Sequence, residues 1–122
     1  MTDFYRDIIL DHYRNPQNEG TLKNPTATLE DENVSCGDVM NMDIAVRDGK
    51  IVDIAFRGDS CVISTASASL LTESVKGKTP KQVLLLKRDD VLKLLNIDLT
   101  PTRIKCALLP LEVLQKLVRS VQ

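Results

Sequence analysis

The chain has 122 residues and 43% of them are hydrophobic, which fits one domain with a core of its own. Tryptophan is absent and aromatic residues make up only 3%, so that core has to be aliphatic. The 16 basic and 17 acidic side chains leave a net charge of −1, without the basic excess that nucleic-acid or polybasic membrane binding needs. We therefore expect neither a nucleic acid nor a membrane as a partner.

The apolar runs and the N-terminal segment bear on the location of the protein. The longest uninterrupted aliphatic run, Val83–Leu86, is far too short to span a bilayer. Residues 1–7 carry acids where a signal peptide needs a basic region followed by an apolar one. The expected location is therefore cytoplasmic.

Residues 2–14 have the apolar spacing of a helix, with Thr2 or Asp3 as its cap and Asn15-Pro16 as its end. The apolar positions are Phe4, Ile8, Ile9 and Tyr13. His12, the single histidine, lies near the end of this helix. A hydrogen-bonded structural role is more common for such a residue than a role as a metal ligand.

Two alternating segments predict an antiparallel hairpin. Apolar and polar residues alternate over 40–47 and again over 52–57, and Asp48-Gly49 between them is typical of a hairpin turn. Upstream, Thr26–Leu29 is expected to form a short strand and Glu30–Asn33 a loop. We also expect the loop that carries Cys36, residues 30–38, to be mobile when no metal is bound.

Helices are expected after the hairpin. Residues 62–75 combine small side chains with apolar residues at helical spacing, and Gly77 suits the position after a helix end. The small side chains allow close approach to another element. Thr79-Pro80 is expected to open a short helix, and Asp89 or Asp90 another.

The last helix contains a proline that constrains its start. Apolar residues from Leu108 to Val121 recur at helical spacing, and Pro110 lies among them. Proline is tolerated in the first turn of a helix and costly in its interior. We therefore expect this helix to begin between Lys105 and Ala107, which places Cys106 at its N-terminal end.

Three cysteines, Cys36, Cys61 and Cys106, lie far apart in the sequence. An odd count in a chain that lacks a signal peptide indicates free thiols, metal ligands or redox groups rather than a disulfide framework. An ordinary buried cysteine is an open alternative for each of them.

The cysteines and one aspartate form a candidate site. Cys61 and Cys106 are both expected at helix N-termini, where unpaired N–H groups and the helix dipole favour a thiolate. Cys36 and Asp38 are two residues apart with Gly37 between them, so they can face the same side. We therefore predict that three thiols and one carboxylate converge at one edge of the sheet. This set suits zinc, or an iron–sulfur cluster with one exchangeable carboxylate ligand.

The chain resembles the U-type iron–sulfur cluster scaffold family, which comprises the amino-terminal domain of NifU, IscU and SufU. The matching stretches are Asp11–Asn18, Cys36–Met40, Cys61 with Ser64–Ser69, Val75–Lys78 and Arg103–Cys106. They run from near the N-terminus to the last helix, so residues 1–122 are expected to form a single scaffold domain.

The resemblance implies an α+β fold in which a three-stranded antiparallel sheet packs against helices. It implies that Cys36, Asp38, Cys61 and Cys106 hold a transient [2Fe–2S] cluster or Zn²⁺. It also implies a persulfide-acceptor role for Cys106, and Tyr5 matches a family tyrosine that would pack the first helix. The implied partners are a cysteine desulfurase and iron–sulfur carrier or apo-acceptor proteins, and a homodimer of the cluster-loaded form is open.

Two departures from the family pattern leave the subgroup open. Lys105 stands where IscU-like members have histidine, and Arg103–Cys106 is nearer to the SufU group. The stretch from Lys76 to Cys106 is, however, short for the insertion that SufU-like members carry. Lys105 either modulates Cys106 by its charge or is a solvated helix-start lysine.

Three functions remain open at this point. The first is a scaffold, not an enzyme, that assembles a [2Fe–2S] cluster. The second is a SufU-like zinc-bound sulfur acceptor, which would be a sulfurtransferase. The third is a structural zinc domain, and the absence of closely spaced Cys/His pairs weighs against it.

Overall fold

The structure, a computed structural model, describes residues 3–33 and 37–121. Within these ranges one helix is followed by three strands and then by four further helices. The elements are α1 (Asp3–Arg14), β1 (Ala27–Asn33), β2 (Asp38–Arg47), β3 (Lys50–Asp59), α2 (Val62–Val75), α3 (Pro80–Leu84), α4 (Arg88–Leu95) and α5 (Pro101–Arg119).

The three strands form an antiparallel sheet in the order β1-β2-β3, which confirms the expected α+β fold. Asp48 and Gly49 connect β2 to β3, and both have positive φ angles, of 54° and 76°. A two-residue turn with positive φ at both positions matches the twist of an antiparallel hairpin. The predicted hairpin is therefore confirmed, and Asp48-Gly49 is its turn.

Strand β1 is longer than the sequence pattern predicts. It pairs with β2 from Ala27 opposite Ile44 to Asn33 opposite Asp38, so the loop expected over Glu30–Asn33 is wrong. Its polar residues fit because β1 is an edge strand, where charged side chains are tolerated. Residues 34–36, in the middle of the loop expected to be mobile, lie outside the described residues, so its mobility stays a prediction.

The helices cover one face of the sheet. Met40, Met42 and Ile44 of β2 are fully buried on that face, and the apolar side of α5 packs against β1 and β2. Helix α2 lies between α1 and α5, and its small residues from Ser64 to Ser69 are buried there. The close approach expected from the small side chains of α2 is therefore confirmed.

The outer edge of β3 is paired with chain segments from outside the sheet. Gly20 N–H donates to the Phe56 carbonyl, and Phe56 N–H donates to the Asn18 carbonyl. Further along the same strand, Gly77 N–H donates to the Ile51 carbonyl, and Ile51 N–H donates to the Lys78 carbonyl. These bonds satisfy backbone groups that an edge strand would otherwise present for pairing with another chain.

Helix α2 and the two short helices begin close to their predicted positions. Helix α2 spans Val62–Val75 as expected, and Gly77 follows it with a φ of 86°. Helix α3 begins at Pro80 behind the capping residue Thr79, and α4 begins at Arg88, one residue before Asp89. Among the described residues, no helix combines the length and the apolar character needed to cross a membrane.

The predicted start of the last helix is wrong. Helix α5 begins at Pro101, where Thr100 caps it by accepting the Arg103 N–H at 3.4 Å, and Pro110 lies in its interior. Because proline has no N–H, Pro110 cannot bond the carbonyl of Cys106, one turn earlier. The Ser64 hydroxyl donates to that carbonyl at 2.9 Å instead, which offsets part of the cost of the interior proline.

Replacing Thr100 by alanine tests the observed start of α5. We expect Thr100→Ala to lower the free energy of unfolding by about 1 kcal/mol, because the variant loses the side-chain cap. Thr102→Ala, at an exposed position within the first turn, is the control and should be nearly neutral. Urea denaturation of the three proteins measures both effects. Equal stability of the Thr100→Ala variant and the unchanged protein would contradict this helix start.

Candidate metal centre

The structure brings three of the predicted ligand residues together. One ligand atom each from Asp38, Cys61 and Cys106 lie within 4.8 Å of one another. Asp38 and Cys106 are buried and Cys61 is partly exposed. Cys36 lies outside the described residues, so its place relative to this group stays a prediction.

The hairpin explains why Asp38 and Cys61 meet. Asp38 is the first residue of β2, and the chain reaches Cys61 just after β3 ends at Asp59. Because β2 and β3 are antiparallel, the start of one lies beside the end of the other. Cys61 N–H donates to Asp38 Oδ1 at 3.1 Å, which fixes one carboxylate oxygen against the start of α2.

Cys61 is the N-cap residue of α2, as expected. Its backbone is extended, with φ −72° and ψ 173°, and its Sγ accepts the Ser64 N–H at 3.4 Å. An N-cap side chain normally satisfies one of the free N–H groups in the first turn, and here a sulfur atom does so. The sulfur is therefore held at the end of the helix, facing Asp38 and Cys106.

Cys106 lies in the second turn of α5 and is fully buried, so the prediction that it begins a helix is wrong. The argument that a helix N-terminus favours its thiolate does not apply to this position. Its neighbour Lys105 is exposed on α5. The influence of Lys105 on Cys106 stays a prediction.

His12 is part of a link between α1 and α2. Its Nδ1 lies 2.7 Å from Ser69 Oγ, and the same oxygen accepts the Gln17 N–H at 2.8 Å. The Ser69 hydroxyl can therefore donate to Nδ1 while it accepts from the backbone. This contact fits the structural role predicted for His12. The side chain of Tyr5 lies outside the described residues.

Ser64 is a residue of the site that the sequence analysis did not single out. It is fully buried in the first turn of α2. Its hydroxyl lies 2.5 Å from Asp38 Oδ2, and its backbone N–H bonds the sulfur of Cys61. The sequence held one signal for this role. Ser64 comes three residues after Cys61, and the residue three positions after an N-cap faces the side chain of that cap.

The chain is similar in sequence to known proteins. The family model for the NifU-like N terminal domain matches residues 4–121. The zinc-dependent sulfurtransferase SufU of Bacillus subtilis is 37% identical, over 95% of this chain and 90% of its own length. The iron–sulfur cluster assembly scaffold protein IscU of Escherichia coli K12 is 38% identical, over 86% of this chain and 84% of its own.

The fold is also found among solved structures. The crystal structure of a hypothetical protein superposes with a TM-score of 0.84 at 31% sequence identity, and the match covers 98% of this chain and 99% of that one. The match covers nearly the whole chain, so the fold in which Asp38, Cys61 and Cys106 lie is shared with that protein.

Proposed function

Because this chain belongs to the family of NifU-like N-terminal domains, we propose that it is an iron–sulfur cluster scaffold. In this role residues 1–122 act as one domain that assembles a transient [2Fe–2S] cluster and passes it to an acceptor protein. The observation that carries the proposal is the convergence of Asp38, Cys61 and Cys106 within 4.8 Å.

The donor atoms fit the proposed cargo. Two cysteine sulfurs and a carboxylate are a set that both zinc and iron–sulfur clusters accept, and Cys36 is proposed as the remaining ligand. Asp38 has the distinct role in this set. A carboxylate holds cluster iron more weakly than a thiolate, so Asp38 makes the bound cluster easier to release.

The proposed sulfur source is a cysteine desulfurase that carries a persulfide. The thiolate of Cys106 attacks the terminal sulfur of that persulfide, a new S–S bond forms on Cys106, and the desulfurase cysteine leaves as a thiolate. The exchange is redox-balanced because one persulfide replaces another. Since Cys106 is fully buried, the transfer requires that its sulfur first become accessible to the partner.

A second candidate is a zinc-bound sulfur acceptor that acts as a sulfurtransferase. Its support is the similarity to the Bacillus subtilis protein over 95% of this chain, together with Lys105 in place of histidine before Cys106. In this role the same residues hold Zn²⁺ and the cargo is sulfur alone. The two candidates therefore differ in the metal that accompanies the protein and in what the acceptor receives.

The location and partners follow from the chemistry. Free thiols persist in a reducing compartment, so the cytoplasm is the location we propose. Iron–sulfur carriers or apo-proteins are the proposed acceptors. A homodimer of the cluster-loaded form is proposed as the state in which two scaffold chains share the cargo.

Metal analysis and reconstitution test these proposals. Protein purified without oxygen is analysed for metal and then incubated with iron, cysteine and a cysteine desulfurase. For a scaffold, we expect visible absorption of a [2Fe–2S] cluster, which Asp38→Ala retains for longer and Cys61→Ser does not form. Stoichiometric zinc, no cluster absorption and a persulfide on Cys106 would identify the sulfurtransferase instead.

The matched control is a serine in place of an exposed polar residue remote from the site. Lys50→Ser, at the exposed start of β3 and at the opposite end of β2 from Asp38, should reconstitute like the unchanged protein. Cys61→Ser with unchanged metal content and unchanged absorption would contradict the proposed site. Cys36→Ser with unchanged metal content would exclude Cys36 alone from the ligand set.

A further inference from the structure

One side chain of α2 contacts each of the three described ligand residues. Ser64 N–H donates to Cys61 Sγ at 3.4 Å, and Ser64 Oγ lies 3.6 Å from the same sulfur. The Ser64 hydroxyl also lies 2.5 Å from Asp38 Oδ2 and 2.9 Å from the carbonyl oxygen of Cys106. Ser64 is thus the residue through which β2, α2 and α5 meet at the site.

The Ser64 hydroxyl has one hydrogen and two acceptors within reach. The hydroxyl oxygen lies 2.5 Å from Asp38 Oδ2 and 2.9 Å from the Cys106 carbonyl oxygen, so the contact with Asp38 is the shorter one. Hydrogen bonds from a hydroxyl to an ionised carboxylate are the shorter and stronger kind. The Ser64 hydrogen is therefore shared between the two acceptors, and the stronger branch goes to Asp38 Oδ2. Cys61 N–H donates to Asp38 Oδ1, and the two bonds together fix the plane of the carboxylate.

The second acceptor fixes the position of α5. Pro110 has no N–H to donate to the Cys106 carbonyl, and the longer branch of the Ser64 hydrogen bond reaches this oxygen at 2.9 Å. The contact sets the distance between the first turn of α2 and the turn of α5 that carries Cys106. Ser64 therefore contacts the Asp38 carboxylate, the Cys61 sulfur and the backbone of the residue that carries the second sulfur.

We propose that Ser64 is the positioning residue of this metal site, orienting Asp38 and Cys61 for the ion or cluster that they hold. The proposal rests on the function proposed above. Residues that hydrogen-bond a metal ligand commonly contribute about 10–100-fold to metal affinity, although they do not touch the metal. Loss of the Ser64 hydroxyl is expected to weaken zinc binding by a factor in that range.

Ser67 provides a matched control one turn further along α2. Its hydroxyl donates to the carbonyl of Ala107 at 2.6 Å, and the side chain is as buried as that of Ser64. Ser67→Ala therefore removes a buried hydrogen bond between α2 and α5 of the same kind as Ser64→Ala. It does not remove a bond to Asp38 or to Cys61.

Zinc affinity is measured by competition with a chelator for the unchanged protein, Ser64→Ala and Ser67→Ala. We expect the dissociation constant of Ser64→Ala to rise by about 10–100-fold and that of Ser67→Ala to stay unchanged. Absorption of the cobalt-substituted proteins, which reports the ligand geometry, should change in the first variant and not in the second. Ser64→Thr keeps a hydroxyl, so it should retain the affinity of the unchanged protein even where Ser64→Ala does not fold.

A double-mutant cycle distinguishes positioning from general loss of stability. If Ser64 acts through Asp38, Ser64→Ala should have little further effect on zinc affinity in a protein that already carries Asp38→Ala. Full additivity of the two substitutions, or equal affinities of the Ser64→Ala and Ser67→Ala variants, would overturn the role of Ser64 while leaving the site intact. Failure of the unchanged protein to bind zinc or iron would instead overturn the site itself.

Discussion

Gly58→Ala is expected to lower the free energy of unfolding by about 3 kcal/mol, because a side chain at this position meets the backbone of the neighbouring strand. A Cβ atom on Gly58 would lie 2.2 Å from the Val39 carbonyl oxygen and 3.0 Å from the Cα of Met40. Gly58 also has a φ of 146°, which side-chain-bearing residues rarely adopt. Either β2 or β3 has to move to accommodate the methyl group.

Gly20→Ala is the matched control for this prediction. Gly20 has a φ of 144°, and a Cβ atom there would meet nothing within 4 Å. The two variants thus share the backbone strain, and only Gly58→Ala adds the close contact. We expect Gly20→Ala to lower the free energy of unfolding, measured by urea denaturation, by about 1 kcal/mol. Equal losses for the two variants would show that the contact with Val39 is unimportant.

Gly58→Ala should also affect the candidate metal site. Val39 follows Asp38 directly, so a displacement of the Val39 backbone moves the carboxylate relative to Cys61. Folded Gly58→Ala protein is therefore expected to bind zinc more weakly than folded Gly20→Ala protein. Chelator competition at a temperature where both variants are folded measures the difference.

Asp43→Asn is expected to lower the free energy of unfolding by about 2–3 kcal/mol, because the Asp43 carboxylate accepts hydrogen bonds from three parts of the chain. It accepts bonds from the Leu22 N–H, the Thr28 hydroxyl and the guanidinium of Arg57. Asp43 is only 1% exposed, on the sheet face away from the helices. Asparagine would turn an amide donor toward these donors. The side chain of Arg57 is 34% exposed, so water screens part of its contribution.

The effect of Asp43→Asn should depend on pH. Burial by itself would raise the pKa of Asp43, but the hydrogen bonds from Arg57, Thr28 and Leu22 N–H, with the Arg57 charge, outweigh burial and hold that pKa below its usual value. A depressed pKa in the folded state contributes stability above the unfolded pKa of about 3.9, and this contribution is lost as the pH falls through the folded value.

Urea denaturation from neutral pH down to about pH 3 checks this dependence. The difference in stability between the unchanged protein and Asp43→Asn should be largest near neutral pH and should shrink below about pH 4. Asp53→Asn, at an exposed position of β3, is the control and should change stability by less than about 0.5 kcal/mol at any pH. A pH-independent difference for Asp43→Asn would contradict the electrostatic explanation.

The elements that the sequence predicted well are those with a clear period or a decisive turn. The hairpin followed from alternation around Asp48-Gly49, and α2 followed from helical spacing up to Gly77. The second half of β1 was missed because its charged residues are compatible with a loop, and only pairing with β2 makes them a strand. The start of α5 was missed because the cost of Pro110 was judged without Ser64, which lies far away in sequence.

The candidate site was predictable in its residues but not in its internal contacts. Cysteine and aspartate are residue types that commonly bind metals, so Asp38, Cys61 and Cys106 could be singled out before the fold was known. Ser64 could not, because a serine in a run of small residues looks like packing until its acceptors are in place. The burial of Cys106 was likewise hidden by the misplaced helix start.

The hydroxyl groups of α2 have a consequence for how freely this helix can turn about its own axis. Ser67 bonds the backbone of α5, Ser69 meets His12 of α1, and Thr72 accepts from Asn18. Apolar contacts alone would let α2 rotate by small amounts against its neighbours. Hydrogen bonds are directional, and because these lie on successive turns and on opposite sides of α2, they allow only one rotation of the helix about its axis. The direction in which Cys61 points from the end of α2 is thus set by hydrogen bonds along the whole helix, and not only by the contacts at its first turn.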